Sequence, residues 1–104
     1  MTGQPLRLTL VWQSRAVTTS SYKAFVHVLD DTSHVLAQQD DVPGAGAMPT
    51  TLWLPGQVIV DPYNVPLPAH LPPGAQLEVG LYDAASGQRV PLAGGDRMLL
   101  PLSR

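Results

Sequence analysis

The sequence predicts an all-β fold: a two-sheet antiparallel β-sandwich, immunoglobulin-like or fibronectin-III-like, with about seven strands. Three observations predict it. Several short segments alternate apolar and polar residues with the two-residue period of a strand, and no stretch of ten residues keeps a helical period. Turn residues recur throughout, since 11 prolines and 9 glycines make up about a fifth of the chain, more than helices tolerate. The length of 104 residues fits one domain of ordinary size and leaves no room for a second core. Residues 1–104 are therefore read as a single sandwich, with 1–4 as the start of an expressed fragment or a linker.

The first strand starts at Leu6, where Leu6, Leu8, Leu10 and Trp12 share one face and Arg7, Thr9 and Gln13 the other. A Ser/Thr-rich connector, Thr18 to Ser21, leads to Tyr22–Leu29. This second strand is apolar on both faces, as a central strand is, with His27 its odd member. Asp30-Asp31-Thr32-Ser33 supplies a turn capped by aspartate side chains, and Val35–Gln39 returns as the partner strand. Asp40 to Met48 reads as a crossover.

The stretch Pro49–Asp61 organises the rest, with Trp53 as an aromatic anchor, Pro55-Gly56 as a turn and Val58-Ile59-Val60 as a strand closed by Asp61 and Pro62. Tyr63–Pro68 alternates but contains prolines that cannot donate to a ladder, which assigns it to an edge. After the Leu71–Gly74 turn, Gln76–Tyr82 places Leu77, Val79 and Leu81 inward and Glu78 and Tyr82 outward, while Gly80 lets a neighbour approach closely. Asp83–Gly87 is a short hairpin loop with Gly87 at its left-handed position. Gln88–Leu92 returns, Gly94-Gly95-Asp96 turns, and Met98–Leu102 is the last strand.

Composition narrows the function classes. A net charge of −2 offers no basic stripe for a phosphate backbone, so nucleic acid is not an expected partner. The absence of cysteine removes disulfides, thiolate metal sites and cysteine nucleophiles together. No apolar run approaches the roughly 20 residues of a membrane span, and the N-terminus has no charged-then-apolar leader pattern, so no direct membrane insertion is expected of this segment.

Several short motifs resemble a known bacterial domain. They are Trp12, Tyr22–Asp30 (YKAFVHVLD), Gln39-Asp40, Pro49-Thr50, Trp53-Leu54-Pro55-Gly56, Val60-Asp61, Pro73-Gly74, Val79–Asp83 (VGLYD) and Gly87-Gln88-Arg89. Together, over Leu6 to about Leu92, they resemble the β-sandwich module found C-terminal to the membrane region of bacterial protein-mannosyltransferase-like glycosyltransferases. The loop after Asp30 lacks the glycine usual there, and Ala75-Gln76 stands where a tyrosine is usual; neither departure touches the fold. The resemblance implies a non-catalytic, extracytoplasmic accessory domain of the cell envelope, whose partners are other domains of the parent protein. The rival class is a carbohydrate-binding module that uses Trp53 as a sugar platform with Gln57, Asp61 and Asn64.

Each candidate side chain also has a structural role open to it. Trp12 shares a face with three leucines and is assigned to the core. Trp53 is assigned as a buried anchor whose indole N–H is taken by Asp61 or a loop carbonyl. His27, His34 and His70 lack metal-ligand spacing. Asp30, Asp31, Asp40, Asp41 and Asp61 lie near strand ends, where calcium sites occur, but turn-capping aspartates look the same. No nucleophile elbow accompanies the Ser, His and Asp residues, and Gly44-Ala45-Gly46 is not followed by Gly-Lys-Ser or Gly-Lys-Thr. The expectation is therefore no catalytic residue, no metal and no cofactor.

Overall fold

The computed structural model describes residues 5–44, 46–91 and 95–102. Their strands are β1 (Leu6–Gln13), β2 (Tyr22–Leu29), β3 (Val35–Asp41), β4 (Val58–Val65), β5 (Gln76–Asp83) and β6 (Met98–Pro101). They form two antiparallel sheets, one of two strands in the order β1-β4 and one of four in the order β3-β2-β5-β6. The architecture is an all-β sandwich. Among the described residues the only helical turn is Thr50–Leu52, and no helix is long and apolar enough to cross a membrane.

The alternation decides what each strand buries. Leu6, Leu8, Leu10 and Trp12 of β1 stand opposite Val65, Tyr63, Asp61 and Ile59 of β4. Leu6, Leu8, Leu10 and Trp12 with Tyr63 and Val65 pack onto Ala24, Val26 and Val28 of β2 and Leu77, Val79 and Leu81 of β5. Ala24, Val26 and Val28 are completely buried, as the residues of a strand flanked on both sides should be.

Three expectations are corrected. The segments Val58–Val60 and Tyr63–Val65 form one continuous strand through Asp61-Pro62. The Ser14 amide bonds to the Gln57 carbonyl at 3.0 Å, so even-numbered β1 residues aim their amides at β4, and in register their partners are the odd-numbered β4 residues. Pro62 therefore turns its donorless nitrogen away from β1, on the side where the Asn64 amide meets the Gln39 side chain at 3.1 Å. The proline costs the ladder nothing.

The segment from Gln88 was expected to be a strand and makes only one bridge, Tyr82 to Arg89, with the Val90 amide on the Leu81 carbonyl at 2.9 Å. The described strands accordingly number six, not about seven. Leu92, Gly94 and residues 1–4 lie outside the described residues. In the third correction, β3 extends through Asp40 and Asp41, which were assigned to the crossover.

Glu78 does point away from the apolar core, as its alternation requires, yet it is only 3% exposed. The outer face of the larger sheet is therefore covered too. Phe25 lies flat over Gly80 there: a Cβ on Gly80 would stand 2.5 Å from the ring. The hairpin loop after β5 forms as expected, with Gly87 at φ 76° and Asp83 Oδ1 accepting the Ala85 and Ser86 amides.

Candidate functional site

Two polar constellations stand out, one on each side of the larger sheet. The first is built around Asp61 on β4. Its side chain faces the space between the sheets and is 1% exposed. Trp12 Nε1 donates to Asp61 Oδ2 at 2.9 Å, and the Gly44 amide donates to Oδ1 at 2.8 Å. Asp61 thus ties β1, β4 and the crossover together. Gly44 has φ 70°, and a Cβ there would meet Met48 at 2.9 Å, so only glycine presents its amide in this way. Among the described residues the buried Tyr63 hydroxyl has no hydrogen-bond partner, and its pair with Asp61 does not reach hydrogen-bonding geometry. Burial first, and then the negative field of Asp61, Asp41 and Asp40, push this phenol well above its ordinary pKa.

Trp53 is buried and donates Nε1 to the Met48 carbonyl at 2.8 Å. Of its two expected acceptors the carbonyl is the one used, and Asp61 accepts the Trp12 indole instead. Next to it Thr50, also buried, accepts the Tyr22 amide at 3.0 Å and donates to the Ser20 carbonyl at 2.9 Å. Gln57 Oε1 accepts the Leu54 amide at 2.9 Å and so closes the Pro55-Gly56 turn. Asn64 is exposed on the outer face of β4, beside a depression of about 510 Å³ shared with Arg7, Gln39 and Pro62. The four residues proposed as a ligand platform are not brought together: Trp53 and Asp61 are buried, Gln57 serves a turn, and Asn64 faces elsewhere. Trp53 borders a larger cleft of about 670 Å³ with Arg15, Thr18, Tyr22 and Pro91.

The second constellation covers the outer face. His27 Nδ1 lies 3.1 Å from Glu78 Oε1, and its Nε2 lies 3.2 Å from Asp40 Oδ1. A neutral imidazole has one N–H and satisfies only one of these acceptors; the doubly protonated ring donates to both. Arg97 reaches Glu78 Oε2 at 2.6 Å and Arg89 reaches it at 3.3 Å. Arg89 also stacks 4.6 Å above the Phe25 ring, and the His27 ring lies 4.9 Å from the same ring. Burial alone would raise the Glu78 pKa and is the largest single influence. The Arg97 hydrogen bond, the Arg89 charge and the bonds from His27 and Arg89 together outweigh it and hold the carboxyl below its ordinary value.

The sequence offers Glu78 only as an outward strand residue and Arg89 only within the Gly87-Gln88-Arg89 motif, and it points to none of Glu78, Arg89 and Arg97 as a site residue. The one signal was His27, a polar residue in a strand buried on both faces, which calls for partners; those partners lie as far as 51 residues away and nothing local names them. Asp30 caps its turn by accepting the Thr32 and His34 amides at 2.8 and 2.9 Å. His34 shares that exposed turn, and His70 is exposed. Among the described residues no three His, Asp or Glu side chains are placed to hold a metal ion.

No protein-family model, no curated protein and no solved structure matches this chain. The fold and the two constellations define a β-sandwich whose buried carboxylates fasten its loops to its sheets.

Proposed function

We propose that the chain is a non-catalytic, extracytoplasmic accessory module of a larger, membrane-associated bacterial protein of glycosyltransferase type, and that it works by contact with other domains of that protein. The observation that carries this reading is the outer face of the two-stranded sheet. Val11 and Val60 face each other across the strands at 64% and 63% exposure, and Val58 beside them is exposed as well. A cross-strand valine cluster left open to water is the kind of surface that another protein surface covers.

Two further observations support the reading. The motifs that carry the resemblance build the fold: Trp12, Thr50, Trp53 and Asp61 hold the crossover, and Gly80 admits Phe25. The strand order also supports an immunoglobulin-like assignment, because β1-β4 and β3-β2-β5-β6 correspond to strands B-E and C′-C-F-G of that fold. The second reading, a carbohydrate-binding module, is favoured by the cleft beside Trp53.

The full reading frame and one variant test the proposal. Transmembrane spans upstream support it, and an adjoining glycosidase domain overturns it in favour of sugar binding. Val60→Asp is expected to weaken association with the remainder of the parent protein at least about tenfold, or 1.4 kcal/mol, without lowering the thermal midpoint. Trp53→Ala separates the readings further. As a buried anchor it should cost about 3 to 5 kcal/mol of stability, with no specific glycan bound by the parent domain on an array. A stable Trp53→Ala variant that has lost a measurable glycan affinity reverses the ranking.

A further inference from the structure

We infer that the free edge of β1 is a docking site for a single extended polypeptide segment, which adds a third strand to the smaller sheet. The backbone provides the first argument. Because even-numbered β1 residues bond to β4, the N–H and C=O groups of Arg7, Thr9, Val11 and Gln13 all aim at the opposite edge, where no described strand pairs with them. Exposed edges of this length are ordinarily shortened, bulged or charged, and this one carries one charge in eight residues, Arg7.

The stacking of the sheets provides the second argument. The smaller sheet sits off-centre, with β4 against β3 and β1 over β5, where Leu10 and Trp12 lie beside Val79. Nothing described lies over β6. Met98 and Leu100 stand in register with Val79 and Leu77, so they belong to the inner, apolar face, yet they are 55% and 45% exposed. An apolar cleft of about 290 Å³ runs there between Leu10, Trp12, Val79 and Met98. One strand placed about 4.8 Å from β1 lies over β6 and drops alternate side chains onto Met98 and Leu100.

The same offset selects the occupant. A second copy pairing its own β1 edge would bring its β6 along, and two β6 strands cannot share the space below two adjacent β1 strands. The occupant is an unaccompanied segment with apolar residues at alternate positions, as in β-strand addition. Its outward residues pair with the row Arg7, Thr9, Val11, Gln13, which favours an acidic residue opposite Arg7.

The test fuses the chain, through a Gly-Ser linker of about 15 residues, to a segment of about nine residues that alternates valine with threonine and aspartate. Hydrogen exchange is read residue by residue. The amides of Arg7, Thr9, Val11 and Gln13 should slow at least about tenfold relative to a fusion whose segment has proline at alternate positions, while Leu8 and Leu10, already bonded to β4, change little. Thr9→Pro removes an outward N–H and should abolish the protection. Met98→Asp, a change at an exposed position, should do the same through the cleft with the unfused domain's thermal midpoint kept. Unchanged exchange at the four amides, protection that survives both variants, or a self-associated free domain in which those amides are already protected would each overturn the proposal.

Discussion

Asp61 and Glu78 are both buried carboxylates, and the sandwich neutralises them in opposite ways. Asp61 lies between the sheets and accepts two uncharged donors, an indole N–H and a backbone amide. Both donors are fixed in place, one by packing and the other by a glycine in a left-handed conformation. Glu78 lies under the outer face and is met by Arg89, Arg97 and His27, whose arginine side chains remain 36% and 39% exposed. Inside the sandwich rigid neutral groups are available, so a carboxylate can join three chain segments at one point. On the outer face the described hydrogen bonds to Glu78 all come from side chains, so long charged groups cover it and remain subject to solvent and pH.

The largest effect expected from this difference is at Asp61. Asp61→Ala leaves the Trp12 indole and the Gly44 amide without acceptors in a dry site, each costing about 1 to 3 kcal/mol, for a total of about 2 to 6 kcal/mol. That is a large share of the stability of a small domain. Urea denaturation measures it; a loss under about 1 kcal/mol would mean that water replaces the carboxylate and that the crossover is not fastened through it.

Gly80→Ala should come next. The added methyl group meets the Phe25 ring at 2.5 Å and the Asp96 carbonyl at 3.1 Å, so the ring must lift and carry the stacked Arg89 and His27 with it. Overpacking of this kind costs about 1 to 3 kcal/mol. Because the change is confined to the outer face, the Trp12 and Trp53 fluorescence should stay native-like. A variant as stable as the parent would show that the outer cover is loose enough to absorb a methyl group.

The inner half of this comparison was legible in the sequence and the outer half was not, for a physical reason. Alternation in Leu6–Gln13 and Gln76–Tyr82 reports which residues point together, and the inward rows are as read. Trp53 as an anchor on a loop carbonyl follows from the need of a buried indole for an acceptor. Alternation does not report whether the second face is covered, so Glu78 reads as outward and not as buried. Its cover comes from Arg89 and Arg97, 11 and 19 residues further on, through a chain path with no periodicity of its own. Pro62 misled in the same way: a proline closes a central strand but not one whose nitrogen faces an open edge, and the sequence does not say which way the nitrogen faces.

The smallest effect, and the one that tests the charged cover directly, is the acid dependence. Glu78 is held below its ordinary pKa of 4.5 in the folded chain, so it binds fewer protons there than in the unfolded chain once the pH falls to that region. Its contribution to stability is therefore fully present above about 4.5, the unfolded value, and is lost as the pH falls through the lower folded value. Asp30, lowered chiefly by the His34 amide, acts in the same direction from an exposed turn. Solvent around the two arginines keeps the effect modest. Glu78→Gln isolates it: the variant should be less stable than the parent at neutral pH, and the difference should shrink as both are taken below pH 4.5. If the two denaturation curves instead stay parallel down to acid, Arg89 and Arg97 cover Glu78 without stabilising its charge, and the outer face would be held by the Phe25 stack alone.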